Sequence, residues 1–311
     1  VATARLEVPA TLAVSHARFF GAGGRAWIAA LPRLAADCLD RWALRPDGPP
    51  RCGAVALVLP VRLADGDPAV LKLQPVDDET AGEPAALHAW DGDGAVRLLR
   101  HDPASGSMLL ERLDAGRTLR SVPDDLGALR TLSEILGRLN AVAAPPGMRR
   151  LADVAAAALD RVPHAVAVAA DPEARRLIAI CAGAVQDLLP EAGDRLLHWD
   201  LHQGNVLGAL PGGREPWLAI DPKPLAGDPG FELLAALHNR WNDVTATGNV
   251  PRAVRARFDL MTEVLGLDRR RAAGWTLGRI LQNLLWEADN ADTTWHTHPD
   301  RAIAEALLDL R

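Results

Sequence analysis

Residues 196–224, LLHWDLHQGNVLGALPGGREPWLAIDPKP, hold four side chains whose types and spacing suit one chemistry. His198, Asp200 and Asn205 share a tight loop, and Asp221 follows it. Residues 206–210 and 216–220 read as two equal strand arms around the breaker cluster Pro211-Gly212-Gly213-Arg214-Glu215. Pairing about Gly213 brings Asn205 and Asp221 together at the open end of the hairpin. An amide oxygen and a carboxylate converging there suit a Mg²⁺ ion, and Asp200, one turn of loop away, is placed to orient a hydroxyl. These are the parts that phosphoryl transfer requires.

The elements that must position these groups follow from the rest of the chain. Only two lysines, Lys72 and Lys223, occur among 34 basic residues. An ammonium is a compact point charge that guanidinium replaces poorly at a phosphate. Lys72 lies in PAVLKLQ, an alternating run after the Asp65-Gly66 turn, and the run before that turn, AVALVLPVRL, is strand-like too. Residues 54–74 therefore read as a β-hairpin, with Leu71 and Leu73 on one face and Lys72 on the other. The plain alternative is a solvated lysine on an edge strand.

Glu83 opens a helical stretch, EPAALHAW, with Pro84 tolerated in the first turn. A carboxylate there can hold Lys72 against nucleotide phosphates, and Glu79 is the competing partner. GAVRLLRHD and SMLLERLDAG, two short apolar runs separated by turn residues, read as the last strands of a small sheet. Glu111-Arg112-Leu113 then ends that sheet where the chain crosses into a larger helical part. Backbone groups at such a crossing can read adenine, the Glu111 carbonyl accepting and the Leu113 amide donating.

Taken together, the chain resembles the aminoglycoside phosphotransferases of protein-kinase-like fold, within them the streptomycin 6-kinase and hydroxyurea phosphotransferase group. The resemblance covers nearly the whole chain. It is carried by AVLKLQ, EPAALHAWDGDGAVRLLRHD, MLLERLDAG, HWDLHQGNVL and AIDPKPLAGDPGFELLAAL. It implies that Lys72 and Glu83 form the phosphate-binding ion pair, that Asp200 is the catalytic aspartate, and that Asn205 and Asp221 are the metal ligands. The common loop of the family has Gly where this chain has Trp199, and often Pro where it has Gln203. Trp199 and the run Asp221-Pro222-Lys223-Pro224 draw the match toward the streptomycin group.

Composition agrees. A chain of 311 residues accommodates two lobes, and nearly half its residues are apolar with no uninterrupted run of membrane-spanning length. The stretch ATLAVSHARFF is broken by polar residues and does not resemble a secretory signal. Cys38, Cys52 and Cys181 are scattered, with no metal-type spacing, which fits a reducing, cytoplasmic setting. The formal charge of −6 argues against a general nucleic-acid binder and suits a cationic substrate. No membrane and no obligate protein partner is inferred.

Other signals have plain readings. Gly21-Ala22-Gly23-Gly24 precedes a helical pattern but lacks a preceding strand and a nearby Gly-Lys-Ser/Thr, so it is not read as a phosphate loop. The phosphate-covering loop is expected near Arg45-Pro46-Asp47-Gly48-Pro49-Pro50. His296 and His298 lack further ligands in sequence and read as surface residues. Most of the nine tryptophans read as core, Trp286 excepted. A rival reading is a metallohydrolase using the run His198-x-Asp200-x-His202. It leaves Lys72, Glu83 and Asn205 without roles. A nucleotide-binding pseudoenzyme is disfavoured because every catalytic residue type is present.

The expected architecture is a two-lobed, protein-kinase-like α+β fold. Residues 1–113 form a small, β-rich nucleotide-binding lobe and residues 114–311 a larger, mainly helical catalytic and substrate-binding lobe, with ATP in the cleft between them. Mg²⁺ is held by Asn205 and Asp221, and Asp200 orients the acceptor hydroxyl. Lys223 either stabilises transferred phosphate or braces Asp221. The implied acceptor is an aminoglycoside, foremost streptomycin at its 6-hydroxyl, giving antibiotic resistance; hydroxyurea or another small hydroxyl compound is the alternative. Because streptomycin carries two guanidinium groups, carboxylates should surround the site, and Glu287, Asp289 and also Asp292 are the candidates. Asp228 and Glu232 lie near the loop, with Glu232 read as structural.

Overall fold

The computed structural model describes residues 7–289 and 298–310. They form two compact units. One comprises residues up to Asp114 together with Ala209–Arg214, the other Ala115–Gly208 and the chain from Glu215 onward.

The first unit opens with α1 (Ala10–Arg41), a long helix kinked at Gly21, whose φ of 55° lies in the left-handed region. Gly24 lies so close to the His16 carbonyl that no Cβ would fit. The four-residue glycine cluster is thus a kink inside a helix. Next come β1 (Arg45–Pro46), β2 (Arg51–Cys52), β3 (Leu57–Arg62) and β4 (Pro68–Leu73), then α2 (Glu83–Trp90), β5 (Leu98–Asp102) and β6 (Ser107–Glu111). All six strands make one antiparallel sheet in the order β1-β3-β4-β6-β5, with β2 also paired to β3.

The hairpin of β3 and β4 closes over Asp65-Gly66, with Leu57 opposite Leu73 and Arg62 opposite Pro68. Alternation then decides the faces. Leu57, Leu59, Leu71 and Leu73 pack with Leu12, Leu31 and Cys38 of α1 in one core. Each such leucine contributes about 1.5–3 kcal/mol when fully buried. Lys72 is left on the other face. It sits on an inner strand, opposite Val58 on one side and Met108 on the other, so the edge-strand alternative is excluded.

The chain passes to the second unit through β7 (Leu113–Thr118) and continues into α3 (Asp125–Asn140), α4 (Leu151–Val168) and α5 (Pro172–Leu188). Asp124 and Asp171 cap α3 and α5 by accepting from the amides of Gly127 and Glu173. Four short strands follow: β8 (Arg195–Leu197), β9 (Val206–Ala209), β10 (Trp217–Ala219) and β11 (Leu225–Gly227). They pair as β11-β8 and as β10-β9-β7. The remainder is helical: α6 (Leu233–His238), α7 (Trp241–Ala246), α8 (Val250–Leu265), α9 (Arg269–Asp289) and α10 (Pro299–Leu308). Helix α9 packs on α5 and α4, with Gly274 against Leu188 and Gly278 against Val185 of α5, and its Trp275, Leu277 and Leu281 are fully buried. The fold is α+β, with a small sheet-rich N-terminal region and a larger helical C-terminal one. No helix among the described residues is long and apolar enough to cross a membrane.

The β9–β10 register corrects one expectation. Val206 faces Ala219 and Leu207 faces Leu218, which centres the hairpin between Gly212 and Gly213, not on Gly213. The cause is a tight turn in which the Gly213 amide donates to the Leu210 carbonyl, with Pro211 and Gly212 (φ 81°) at its centre. Proline followed by a positive-φ glycine is the pattern of a type II turn. Asn205 therefore meets Ile220, whose amide donates to its carbonyl at 2.9 Å, and Asp221 lies one residue beyond.

Candidate active site

In the first unit the buried Lys72 ammonium donates to both carboxylate oxygens of Glu83, at 2.7 and 2.8 Å. Glu83 is the first residue of α2, where a carboxylate also meets the positive end of the helix. Gln74, two positions on from the lysine, donates to Glu83 Oε2 at 2.6 Å. Three polar side chains thus share one buried, mutually satisfied cluster, which fixes the lysine. Glu79 lies in the adjoining turn, its amide bonded to Asp77 Oδ1.

Glu111 ends β6 and Leu113, almost fully buried, begins β7. The Glu111 carboxylate accepts from the Arg97 amide and from Arg214. Arg214 also donates to the carbonyls of Gly92 and Ala95, so its guanidinium ties the 92–95 turn to the end of β6. Asp47, in the turn between β1 and β2, pairs with Arg62 and Arg112.

In the second unit the loop after β8 is built on one buried acid, Glu232, and one buried base, His198. The amides of His198 and Trp199 donate to the two carboxylate oxygens of Glu232, at 2.6 and 2.7 Å. Burial pushes the Glu232 carboxyl up to about 8, against the pull of these two amides. His198 is fully buried, and its Nδ1 accepts from the Asp200 amide while Nε2–H donates to the Ile220 carbonyl at 3.0 Å. Burial drives its pKa down to about 4, so the ring is a neutral strut between the Asp200 loop and the strand leading to Asp221. The Lys223 amide adds a bond to the His198 carbonyl.

Asn205 Nδ2 donates to the Asp200 carbonyl at 2.9 Å, which leaves its Oδ1 as the atom to meet a cation. Asp221 has a left-handed φ of 60°, a costly conformation for an aspartate and one that clusters at functional sites. An amide oxygen and a carboxylate form a hard-oxygen donor set that fits Mg²⁺. Lys223 Nζ lies 3.6 Å from Asp200 Oδ2.

His202 is not part of a metal run. Its Nδ1 accepts from the Gly204 amide and caps the 3₁₀ turn Gln203–Asn205. With both nitrogens of His198 engaged, the His198-x-Asp200-x-His202 ligand set does not gather among the described residues.

Comparison with known proteins identifies the family. The profile of the aminoglycoside/hydroxyurea antibiotic resistance kinases matches residues 41–291. The chain belongs to that family. It is 58% identical to streptomycin 6-kinase of Streptomyces glaucescens over 285 residues, 92% of each chain. It is 52% identical to hydroxyurea phosphotransferase of Kitasatospora aureofaciens over 307 residues, 97% of this chain and 86% of that one. Its fold matches an aminoglycoside phosphotransferase of Streptomyces rimosus, solved in complex with ADP and streptomycin, with a TM-score of 0.52 and 22% identity. That match covers 84% of this chain and 98% of the other.

The second unit of this kinase carries a cavity of about 230 Å³ that opens at Asp200. Its polar lining is Asp200, His202, His238, Asn239, Arg279 and Asn283. Glu287 and Asp289 do not line it. Glu287 is buried in α9, and Asp289 is engaged by Arg161 at 2.6 Å. Asp292 and His296 lie outside the described residues.

Trp199 is the least expected member of the site. Its φ of 64° is the conformation that glycine adopts without cost. The ring is buried between two guanidinium groups, Arg149 at 4.3 Å and Arg279 at 4.9 Å from its centroid. Arg279, His238 and Asn283 were invisible in sequence because they come from α6 and α9, far from the loop. The one available hint was Trp199 itself, a large aromatic where the common aminoglycoside phosphotransferase loop is expected to carry glycine.

Proposed function

We propose that this kinase transfers the γ-phosphoryl group of ATP to a hydroxyl of a cationic aminoglycoside, and that the 6-hydroxyl of streptomycin is its acceptor, with resistance as the result. The observation that carries the reading is Asp200, held at the wall of a cavity by the Glu232 and His198 struts, with Lys223 beside it. The acceptor and position are supported by the 58% identity to streptomycin 6-kinase, and ATP by the ADP bound in the Streptomyces rimosus relative.

In this proposal Lys72, fixed by Glu83 and Gln74, contacts the nucleotide phosphates. Backbone groups of Glu111 and Leu113 receive the adenine. Asn205 and Asp221 hold Mg²⁺, which when bound neutralises charge on the phosphate oxygens. Asp200 accepts a hydrogen bond from the acceptor hydroxyl, orients its oxygen and takes its proton as the bond to phosphorus forms. A loose transition state asks for positioning more than for prior deprotonation. Lys223 stabilises charge beside Asp200 as the phosphoryl group arrives. The proposal keeps the lobe assignment of residues 1–113 to nucleotide and 114–311 to catalysis and acceptor. Cys38, Cys52 and Cys181 form no disulfide with one another, which motivates a cytoplasmic setting.

One observation favours hydroxyurea as a second reading. The cavity is small, and its described lining offers a single carboxylate, Asp200, together with the cation Arg279. A small neutral acceptor needs no acidic rim. Phosphate transfer from labelled ATP to streptomycin, hydroxyurea and other aminoglycosides, with the product located by NMR, tests both. Turnover of streptomycin at the 6-hydroxyl above all others is expected. Turnover of hydroxyurea alone would replace the first reading by the second.

A further inference from the structure

His298 reads in sequence as an isolated surface residue, yet the fold supplies it with two neighbours. His238 ends α6, His298 immediately precedes α10, and Asp300 stands in the first turn of α10. One ligand atom of each lies within 4.8 Å of the other two. His238 Nδ1 is 3.9 Å from Asp300 Oδ1, His298 Nδ1 is 3.5 Å from Asp300 Oδ2, and the imidazoles meet edge to face at 5.0 Å.

Asp300 is the anomaly. It is 2% exposed, and Asn283 donates to its Oδ2 at 2.7 Å, but its Oδ1 is buried with no hydrogen-bond partner. A buried carboxylate oxygen without a donor is costly, and the imidazole facing it is too far to donate. A cation shared by the three residues satisfies that oxygen.

We propose that His238, His298 and Asp300 bind a divalent transition-metal ion, with Zn²⁺ the best match. Two imidazole nitrogens and one carboxylate are a recurrent three-ligand zinc set with a fourth position open. Mg²⁺ prefers octahedral oxygen and would not select imidazoles. Bonds of about 2.0–2.1 Å put tetrahedral ligand atoms roughly 3.4 Å apart, so the three ligand atoms, within 4.8 Å of one another here, close inward on the ion. Asn283 orients the carboxylate, as hydrogen bonds behind a metal ligand commonly do. The ion takes His298 Nδ1 from the Asp300 amide, which donates to it at only 3.3 Å. Because His238 and Asn283 also line the Asp200 cavity, the ion would fasten the wall of that cavity to the start of α10.

Calorimetric titration of the full chain with ZnCl₂, in excess Mg²⁺ to occupy the Asn205–Asp221 donor set, tests the proposal. One saturable equivalent is expected. Asp300→Asn and His298→Asn should each weaken it roughly tenfold or more. His298→Asn keeps a side-chain acceptor for the α10 cap, which guards against misfolding. Zn²⁺ should raise the melting temperature of the wild type more than that of His298→Asn at the same concentration. The wild type alone provides a second reading, because Co²⁺ at this site should give intense tetrahedral absorption. Absence of saturable binding, wild-type affinity in both variants, or a weak octahedral cobalt spectrum would each overturn the assignment.

Discussion

Lys223 Nζ stands 3.6 Å from Asp200 Oδ2, so the second of the two lysines faces the carboxylate proposed to receive the acceptor hydroxyl. Both groups are partly exposed, which limits what the pair adds to stability. Its consequence is functional. Lys223→Ala should lower kcat in wild type but have little effect in an Asp200→Asn background. A double-mutant cycle on kcat that proved additive would dissociate the two residues.

Asp200→Asn should retain nucleotide binding and lose turnover by about 10²–10⁴-fold, the usual worth of a positioned acid–base group. Its backbone amide still bonds His198 Nδ1, so the loop keeps its shape. ATP affinity by calorimetry and kcat by phosphate transfer separate the two effects. A folded variant with near-normal turnover would refute the role.

Lys72→Arg should cost about 1–3 kcal/mol of transition-state stabilisation although charge is conserved. The pocket is filled, with Glu83 bonded through both oxygens and Gln74 against it, so a planar guanidinium must displace one of them. The burial of Lys72 also sets its reactivity. At 4% exposure it is already shielded before nucleotide binds, whereas the Lys223 side chain is 38% exposed. Amine labelling without ATP should therefore modify Lys223 well ahead of Lys72, as mass spectrometry can read.

Acid should destabilise the fold through His198. Its folded pKa of about 4 lies below the ordinary 6.5, so between those values the unfolded chain binds more protons. Stability conferred by the neutral ring is complete above pH 6.5 and is lost as pH falls toward 4, up to about 3 kcal/mol. Glu232, raised to about 8, works in the opposite sense, losing stability as pH rises from 4.5 to 8. Comparing denaturation slopes of wild type and His198→Gln isolates the histidine. Equal slopes between pH 4 and 6.5 would contradict the assignment.

Trp199→Gly pits two effects against each other. Relief of the left-handed backbone is worth about 1 kcal/mol. Loss of a buried tryptophan costs about 3–5 kcal/mol, with the two guanidinium contacts in addition. Net destabilisation of about 3 kcal/mol is expected from urea melts, and a more stable variant would show that strain dominates.

How much of this was legible before the structure varies with distance along the chain. The β3–β4 hairpin and α2 were readable because alternation, the Asp65-Gly66 turn and Pro84 are local signals. The β9–β10 register slipped by one residue because Pro211-Gly212 fixes the turn more strongly than symmetry of the apolar arms. Glu232 was recognised as structural, but its grip on two amides was not, since it acts across more than thirty residues. Asp289 could not be assigned because its partner, Arg161, is 128 positions away. The lining of the Asp200 cavity is a product of helix packing, to which periodicity gives no register.

Arg214 has one further consequence, for how such a protein can be divided. Its guanidinium joins Gly92, Ala95 and Glu111, yet it is encoded a hundred residues after them. The first unit is therefore not a contiguous segment of the gene. A fragment ended at Asp114 would lack the clasp on the end of β6, and recombination at that boundary would separate Arg214 from its acceptors. The piece that can be exchanged between relatives is the N-terminal segment together with the tip of the β9–β10 hairpin, inherited as a pair.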